Sequence, residues 1–84
     1  MTSPSSRRVR VRLYASLAEA VGPVLELDVP DDARVRDLAR LAAAAHPELA
    51  GAGFGVATAD RWLAADEPLP DRDDLALLPP VSGG

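Results

Sequence analysis

The sequence predicts an α+β fold: a mixed sheet of about five strands laid on one main helix, with a second, short helix beside it. Three observations carry that expectation. Near the start, Val9, Val11 and Leu13 alternate with Arg8, Arg10 and Arg12, the period-two signature of a half-buried strand. Between Val35 and His46 a single apolar stripe recurs at three- and four-residue spacing, as on one face of a helix. Near the end, Leu75-Ala76-Leu77-Leu78 is apolar on both sides, which suits a short central strand. One dominant helix has one face to cover, so it belongs across one side of a sheet.

The elements follow in order. Residues 1–7 are polar and rich in Ser and Pro and read as a disordered leader, with the folded domain spanning 8–78 and a tail over 79–84. After the first strand, Ser16 offers an N-cap for a short helix over Leu17 to Val21, stopped by Gly22 and Pro23. Val24 to Val29 alternates again, with Leu25, Leu27 and Val29 on one face and Pro30 as its end. The main helix places Val35, Leu38, Ala39, Leu41, Ala42 and Ala45 on its buried stripe. Arg34 stands where a Ser or Thr cap would be expected, while Asp31, Asp32 and Asp37 oppose the positive end of the helix dipole. Pro47 closes this helix, and 47–53 reads as loop. Phe54 to Ala59 and Arg61 to Ala65 are two short strand candidates, followed by a polar turn region over 66–74.

Composition narrows the function. At 84 residues the chain makes one small domain. Such a domain buries only roughly 60–65% of its unfolded surface, leaving little room for a deep enzyme pocket. There is no cysteine, so disulfides, zinc–thiolate sites and thiol nucleophiles are excluded, and any sulfur the chain handles cannot ride on a side-chain persulfide. The net charge of −4 argues against nucleic-acid binding. No apolar run approaches the roughly 18–20 residues of a membrane span, and no signal-peptide core follows the leader, so the expectation is a soluble, cytoplasmic protein. All nine basic residues are arginine. Without a lysine the chain cannot build lysine-linked polymers of itself.

The ending carries most of the chemistry. Pro79 and Pro80 cannot donate to a ladder, so pairing should stop near Leu78. Two adjacent prolines favour an extended segment that directs the tail outward. Val81 and Ser82 are modest in size, and Gly83 and Gly84 have no side chain. Six extended residues reach on the order of 20 Å, enough to enter a narrow channel in another protein. The terminal carboxylate, with an ordinary pKa of about 3.3–3.7, is ionised at neutral pH. It can attack the α-phosphate of ATP to give a mixed anhydride, which a sulfur donor converts to a thiocarboxylate. Glycine at the end leaves the carbonyl uncrowded.

Leu77-Leu78-Pro79-Pro80-Val81-Ser82-Gly83-Gly84 resembles the ending of the small subunit of molybdopterin synthase, a ubiquitin-like β-grasp sulfur carrier related to the thiamine-pathway carrier. The likeness extends through Val11-Arg12-Leu13-Tyr14-Ala15, the short helix ending at Gly22, and the Val35 to His46 helix. It implies a carrier that is no enzyme on its own and binds no cofactor. An ATP-dependent partner would adenylate and sulfurate Gly84. The tail of Pro79, Pro80, Val81, Ser82 and Gly83 would then insert into the large catalytic subunit, where the thiocarboxylate gives up sulfur for the dithiolene of molybdopterin. Two positions depart from the family pattern. Ala59 precedes Asp60 where an Asn is common, and Asp71-Arg72-Asp73-Asp74 replaces Asp-Gly-Asp-Glu, putting Arg72 where glycine would tolerate a positive φ.

The remaining residues have plainer readings. His46, the only histidine, sits at a helix end with no nucleophile or paired carboxylate motif around it. Arg8, Arg10 and Arg12 make a solvated basic face or a dock for an acidic patch. The acids of 66–74 lack the spacing of a calcium loop, so no metal site is expected. Leu75, Leu77 and Val81 are expected to form an apolar patch at the tail exit. Phe54 is expected in the core, and Trp62 is a candidate anchor for a partner. A carrier for thiamine, cysteine or another thio-product, a ubiquitin-like modifier and an inert binding module are the competing readings.

Overall fold

A computed structural model describes residues 6–72 and 74–79, and of Ala52 the backbone alone. Residues 80–84, which hold most of the expected tail, lie outside the described residues, as do residues 1–5 of the expected leader. The first strand, β1, spans Ser6–Leu13 and so includes two residues assigned to the leader by composition. It is followed by α1 (Ala15–Val21), β2 (Val24–Pro30), α2 (Val35–Ala45), α3 (Pro47–Ala52), β3 (Gly55–Ala57) and β4 (Ala76–Leu78).

The sheet order is β2-β1-β4-β3. β1 and β2 are antiparallel over their full length, from Ser6↔Pro30 to Arg12↔Val24. β4 lies parallel to β1 through Arg12↔Ala76 and Leu13↔Leu77, and β3 closes the edge antiparallel to β4. This is the α+β, β-grasp arrangement, with four strands among the described residues in place of about five. The short apolar β4 is central, as its composition requires.

Alternation along β1 decides the two faces. Val9, Val11 and Leu13 point inward and are buried, while Arg8, Arg10 and Arg12 are exposed on the other side. The inward face joins Leu17, Leu25, Val29, Val35, Leu38, Leu49, Leu75 and Leu77 in one core, with Phe54 and Leu63 packed against it. α2 lies across that face against β2 and β3. Its stripe of Val35, Leu38 and Ala42 is buried, but Ala45 is exposed. The chain turns at His46, and Leu49 of α3 takes over the end of the stripe.

α3 replaces the expected loop. Pro47 stands at the first helical turn, where its fixed φ fits and its missing N–H is no loss. Leu49 is fully buried, and Gly53 ends the helix at φ 74° with its N–H donating to the Leu49 carbonyl at 3.1 Å. α1 also starts differently from expectation. Tyr14, and not Ser16, is its N-cap, and Ala15 takes a positive φ of 54°.

The strand expected over Arg61 to Ala65 reduces to a single bridge, Ala57↔Trp62. The backbone there is committed elsewhere. The carbonyls of Ala65 and Glu67 accept the N–H groups of Arg36 and Val35, each at 2.9 Å, and so cap the first turn of α2. Arg34 lacks an acceptor side chain, but its own N–H donates to Asp37 Oδ2 at 2.8 Å, the reciprocal half of a capping box. The unusual cap is thus completed by a distant loop. No helix of the described residues is long and apolar enough to cross a membrane.

Candidate functional site

The register of the sheet aligns five residues in one row across its open face. Val24 pairs with Arg12, Arg12 with Ala76, Ala76 with Ala57, and Ala57 with Trp62. Residues that pair across strands point to the same face, and Arg12 is exposed, so the row lies on the side away from the helices. Its ends are apolar and solvent-facing: Val24 is 40% and Trp62 48% accessible. The alanines between them leave a shallow trough. Two residues further along, on the same face, Gly55 pairs with Leu78, which is half-buried. Tyr14, 46% accessible, stands at the same end of the face. Tyr14, Val24 and Trp62 are the exposed large hydrophobics among the described residues, and all three rim this trough.

The hollow at the centre is lined by Arg12, Tyr14, Thr58, Ala59, Asp74 and Leu78. Leu78, the last residue of β4, is part of that lining, so Pro79 follows in sequence directly from its margin. The expected stop at Leu78 is where β4 ends.

A network of ion pairs holds the loop between β3 and β4 against this face. Arg72 bridges Asp60 at 3.1 Å and Asp74 at 2.7 Å. Asp74 also accepts the Ala59 N–H at 3.0 Å. That backbone donor, followed by the Arg72 guanidinium, holds the Asp74 carboxyl below its ordinary range, and the two carboxylates push Arg72 upward. Lower in the loop, Arg61 grips Glu67 with two nitrogens, at 2.9 and 2.6 Å, while Ala64 N–H donates to Glu67 Oε2 at 2.6 Å. The Arg61 hydrogen bonds first, and the Ala64 N–H second, lower Glu67 from 4.5 to about 2. Arg72 has no positive φ; among described non-glycine residues Ala15 alone does. The turn accommodates Arg72 in place of the family's glycine, and its guanidinium becomes the loop's clasp.

The expected site residues separate into three groups. Gly84, Gly83, Ser82, Val81 and Pro80 lie outside the described residues. Trp62 is exposed on the open face, where a partner can reach it. Leu75 and Leu77 require correction: both are fully buried on the helix side and cannot form a surface patch at the tail exit. The residue that does so is Leu78. In a strand only alternate residues share a face, so an apolar Leu77-Leu78 pair supplies one to the core and one to the outside. Tyr14 and Arg12 were equally legible as partners in this face, because the alternation of β1 puts positions 8, 10, 12 and 14 on one side. Among the described residues no group of three His, Cys, Asp or Glu side chains converges as a metal would need.

Comparison with known proteins places this geometry. The ThiS family matches residues 11–84. Small archaeal modifier protein 1 of Haloferax volcanii is 37% identical over 84 aligned positions, covering 87% of this chain and 97% of that protein. A crystal structure of SAMP1 from the same organism superposes with a TM-score of 0.75 at 34% identity, over 93% of this chain and all of that one. A putative molybdopterin converting factor subunit 1 from Pyrococcus furiosus superposes with a TM-score of 0.74 at 29% identity, over 88% of this chain and 98% of that one. Sheet and helices are thus shared with proteins of one kind: the chain belongs to the ThiS family of ubiquitin-like small modifiers and sulfur carriers.

Proposed function

We propose that this chain carries sulfur on its C-terminus for molybdopterin synthesis. The supporting observation is the junction at the end of β4: Leu78, the last residue of a central strand, lines the open apolar trough and is followed in sequence by Pro79-Pro80-Val81-Ser82-Gly83-Gly84. A tail that begins after Leu78 starts next to the surface that a partner would grip. Similarity to a protein described as a molybdopterin converting factor subunit favours this branch of the family. In this reading the Gly84 carboxylate attacks the α-phosphate of ATP in an adenylating partner and pyrophosphate leaves. A sulfur donor then displaces AMP, leaving a thiocarboxylate. The loaded tail enters the large catalytic subunit and returns as a carboxylate after giving up its sulfur. The chain supplies the acyl group and the docking face, and its partners supply the catalytic side chains and consume the ATP.

The 37% identity to a small archaeal modifier favours a second reading, in which the same activated Gly84 is joined to amines of other proteins. Both readings use one activated terminus. Mass spectrometry of the chain from its own cells tests them together. A species with sulfur in place of oxygen at Gly84 supports the carrier, and Gly84 in isopeptide linkage to lysines of other proteins supports the modifier. Restoration of molybdopterin synthesis in a strain lacking its own small subunit decides for the pathway, and failure at a good expression level removes it. Appending a residue after Gly84 should abolish transfer with the fold intact. Activity that survives the extension unprocessed would end both readings.

A further inference from the structure

The three arginines of β1 differ in what faces them across the sheet. Arg8 pairs in register with Asp28 and lies 3.3 Å from both that carboxylate and Glu26. Arg10 pairs in register with Glu26, at 3.8 Å. Arg12 pairs with Val24 on one side and Ala76 on the other, neither of which can neutralise it. Among the described residues its guanidinium makes no ion pair. Asp74, the one described carboxylate lining the same hollow, is already held by Arg72 and the Ala59 N–H. Among the described residues, an acidic chain with a net charge of −4 therefore presents one cation without a paired carboxylate at the centre of its apolar trough.

We propose that Arg12 is a specificity-determining contact of the docking face, and that it receives a carboxylate set in an apolar surface of the adenylating partner. This rests on the carrier or modifier reading above, since both require that partner. Charge complementarity selects the occupant. A purely apolar partner would bury the guanidinium unpaired, which is costly, and a basic one would be repelled. A carboxylate reaching Arg12 between Val24, Tyr14 and Trp62 would be partly shielded from water, where a charge-assisted hydrogen bond counts for more than at an open surface. The small side chain of Ala76, which lines the hollow beside Arg12, leaves the room for it.

The test is ATP–pyrophosphate exchange by the adenylating enzyme of the same genome, with the full chain as substrate. Arg12→Gln should raise the KM for the chain by roughly 10- to 100-fold with kcat unchanged, and Arg12→Lys should recover part of the loss. Arg8→Gln, whose charge is already met within the chain, should stay within about twofold of wild type. Raising the salt concentration should weaken the wild-type chain more than Arg12→Gln. Arg12 is exposed, so matching thermal melts will show that the variants fold. Equal KM values for Arg12→Gln and Arg8→Gln, or a loss in Arg12→Gln that falls on kcat, overturn the assignment of Arg12 alone. A wild-type chain that supports no exchange defeats the carrier and modifier readings together and takes this inference with them.

Discussion

The indole of Trp62 lies so close to Gly55 that a Cβ at that glycine would come within 2.5 Å of Cζ3 and 2.9 Å of Cε3. Gly55 is therefore required for the place Trp62 holds on the open face, and the requirement is one of space, since Gly55 has no positive φ. The atoms that would clash belong to the far edge of a half-exposed ring, which can swing away. Gly55→Ala should accordingly cost little stability, about 1 kcal/mol or less, at the low end of overpacking effects. It should displace the indole, the only one in the chain. A shifted tryptophan emission maximum with a nearly unchanged melting temperature is the expected result. Unchanged emission would mean that the ring does not rest on Gly55.

Leu77 and Leu78 are neighbours with opposite fates, and substitution should separate them. Leu77 is fully buried opposite Leu13. Leu77→Ala should cost about 2–5 kcal/mol, and Leu77→Arg should leave the domain largely unfolded. Leu78 pairs with Gly55 on the open face and is half-buried. Leu78→Ser should keep the fold, and in a pull-down against the adenylating partner it should weaken capture several-fold. Urea titrations of both variants check the first half. A Leu77→Arg protein with wild-type unfolding would contradict the placement of β4.

These two leucines also mark how far the sequence could be read. Strand alternation in β1, the stripe of α2 and the apolar run of β4 each depend on local periodicity, and all three are where the residues indicated, save that Ala45 at the end of the stripe is exposed. Which of Leu77 and Leu78 faces the core depends on the register Leu13↔Leu77, a pairing between residues far apart in the chain. No local pattern encodes it. The missing fifth strand has the same kind of cause: the carbonyls of Ala65 and Glu67 cap α2, and Arg61 folds onto Glu67, so the segment that looks extended is committed to long-range contacts. α3 was hidden by Pro47, which ends one helix and begins another. The trough itself became visible only with the row from Val24 to Trp62, because its members come from different strands.

The Arg61–Glu67 clasp predicts a response to acid. Glu67 titrates at about 2 in the folded chain, below its ordinary 4.5. A carboxyl whose folded pKa is depressed contributes stability above its unfolded pKa and loses it as pH falls through the folded one. The contribution is therefore whole at neutral pH and declines between about pH 4.5 and 2. Asp74 is shifted in the same direction by the Ala59 N–H and Arg72. Glu67→Gln keeps a side-chain acceptor for Ala64 but removes the charge met by Arg61. It should lower the melting temperature modestly at pH 7, with the difference from wild type shrinking towards pH 2. Melts across that range check it, and a gap that widens on acidification would contradict the sign.

Ala15 offers a gain in stability. Its φ of 54° lies in the left-handed region, where a Cβ crowds the following carbonyl at roughly 1–2 kcal/mol. The position is forced, because the chain must leave β1 at Leu13 and enter α1 within a single turn, with Leu17 N–H returning to the Tyr14 carbonyl at 3.1 Å. Ala15→Gly removes that crowding and adds about 0.4–1 kcal/mol of unfolded-state entropy against folding. Relief of the crowding outweighs that entropy, so the variant should be more stable by about 0.5–1 kcal/mol, a rise of several degrees in melting temperature for a domain of this size. Ala15 is exposed and makes no core contact, so no packing loss offsets the gain. An Ala15→Gly chain that melts below wild type would show that the helix propensity lost at the start of α1 exceeds the relief of the turn.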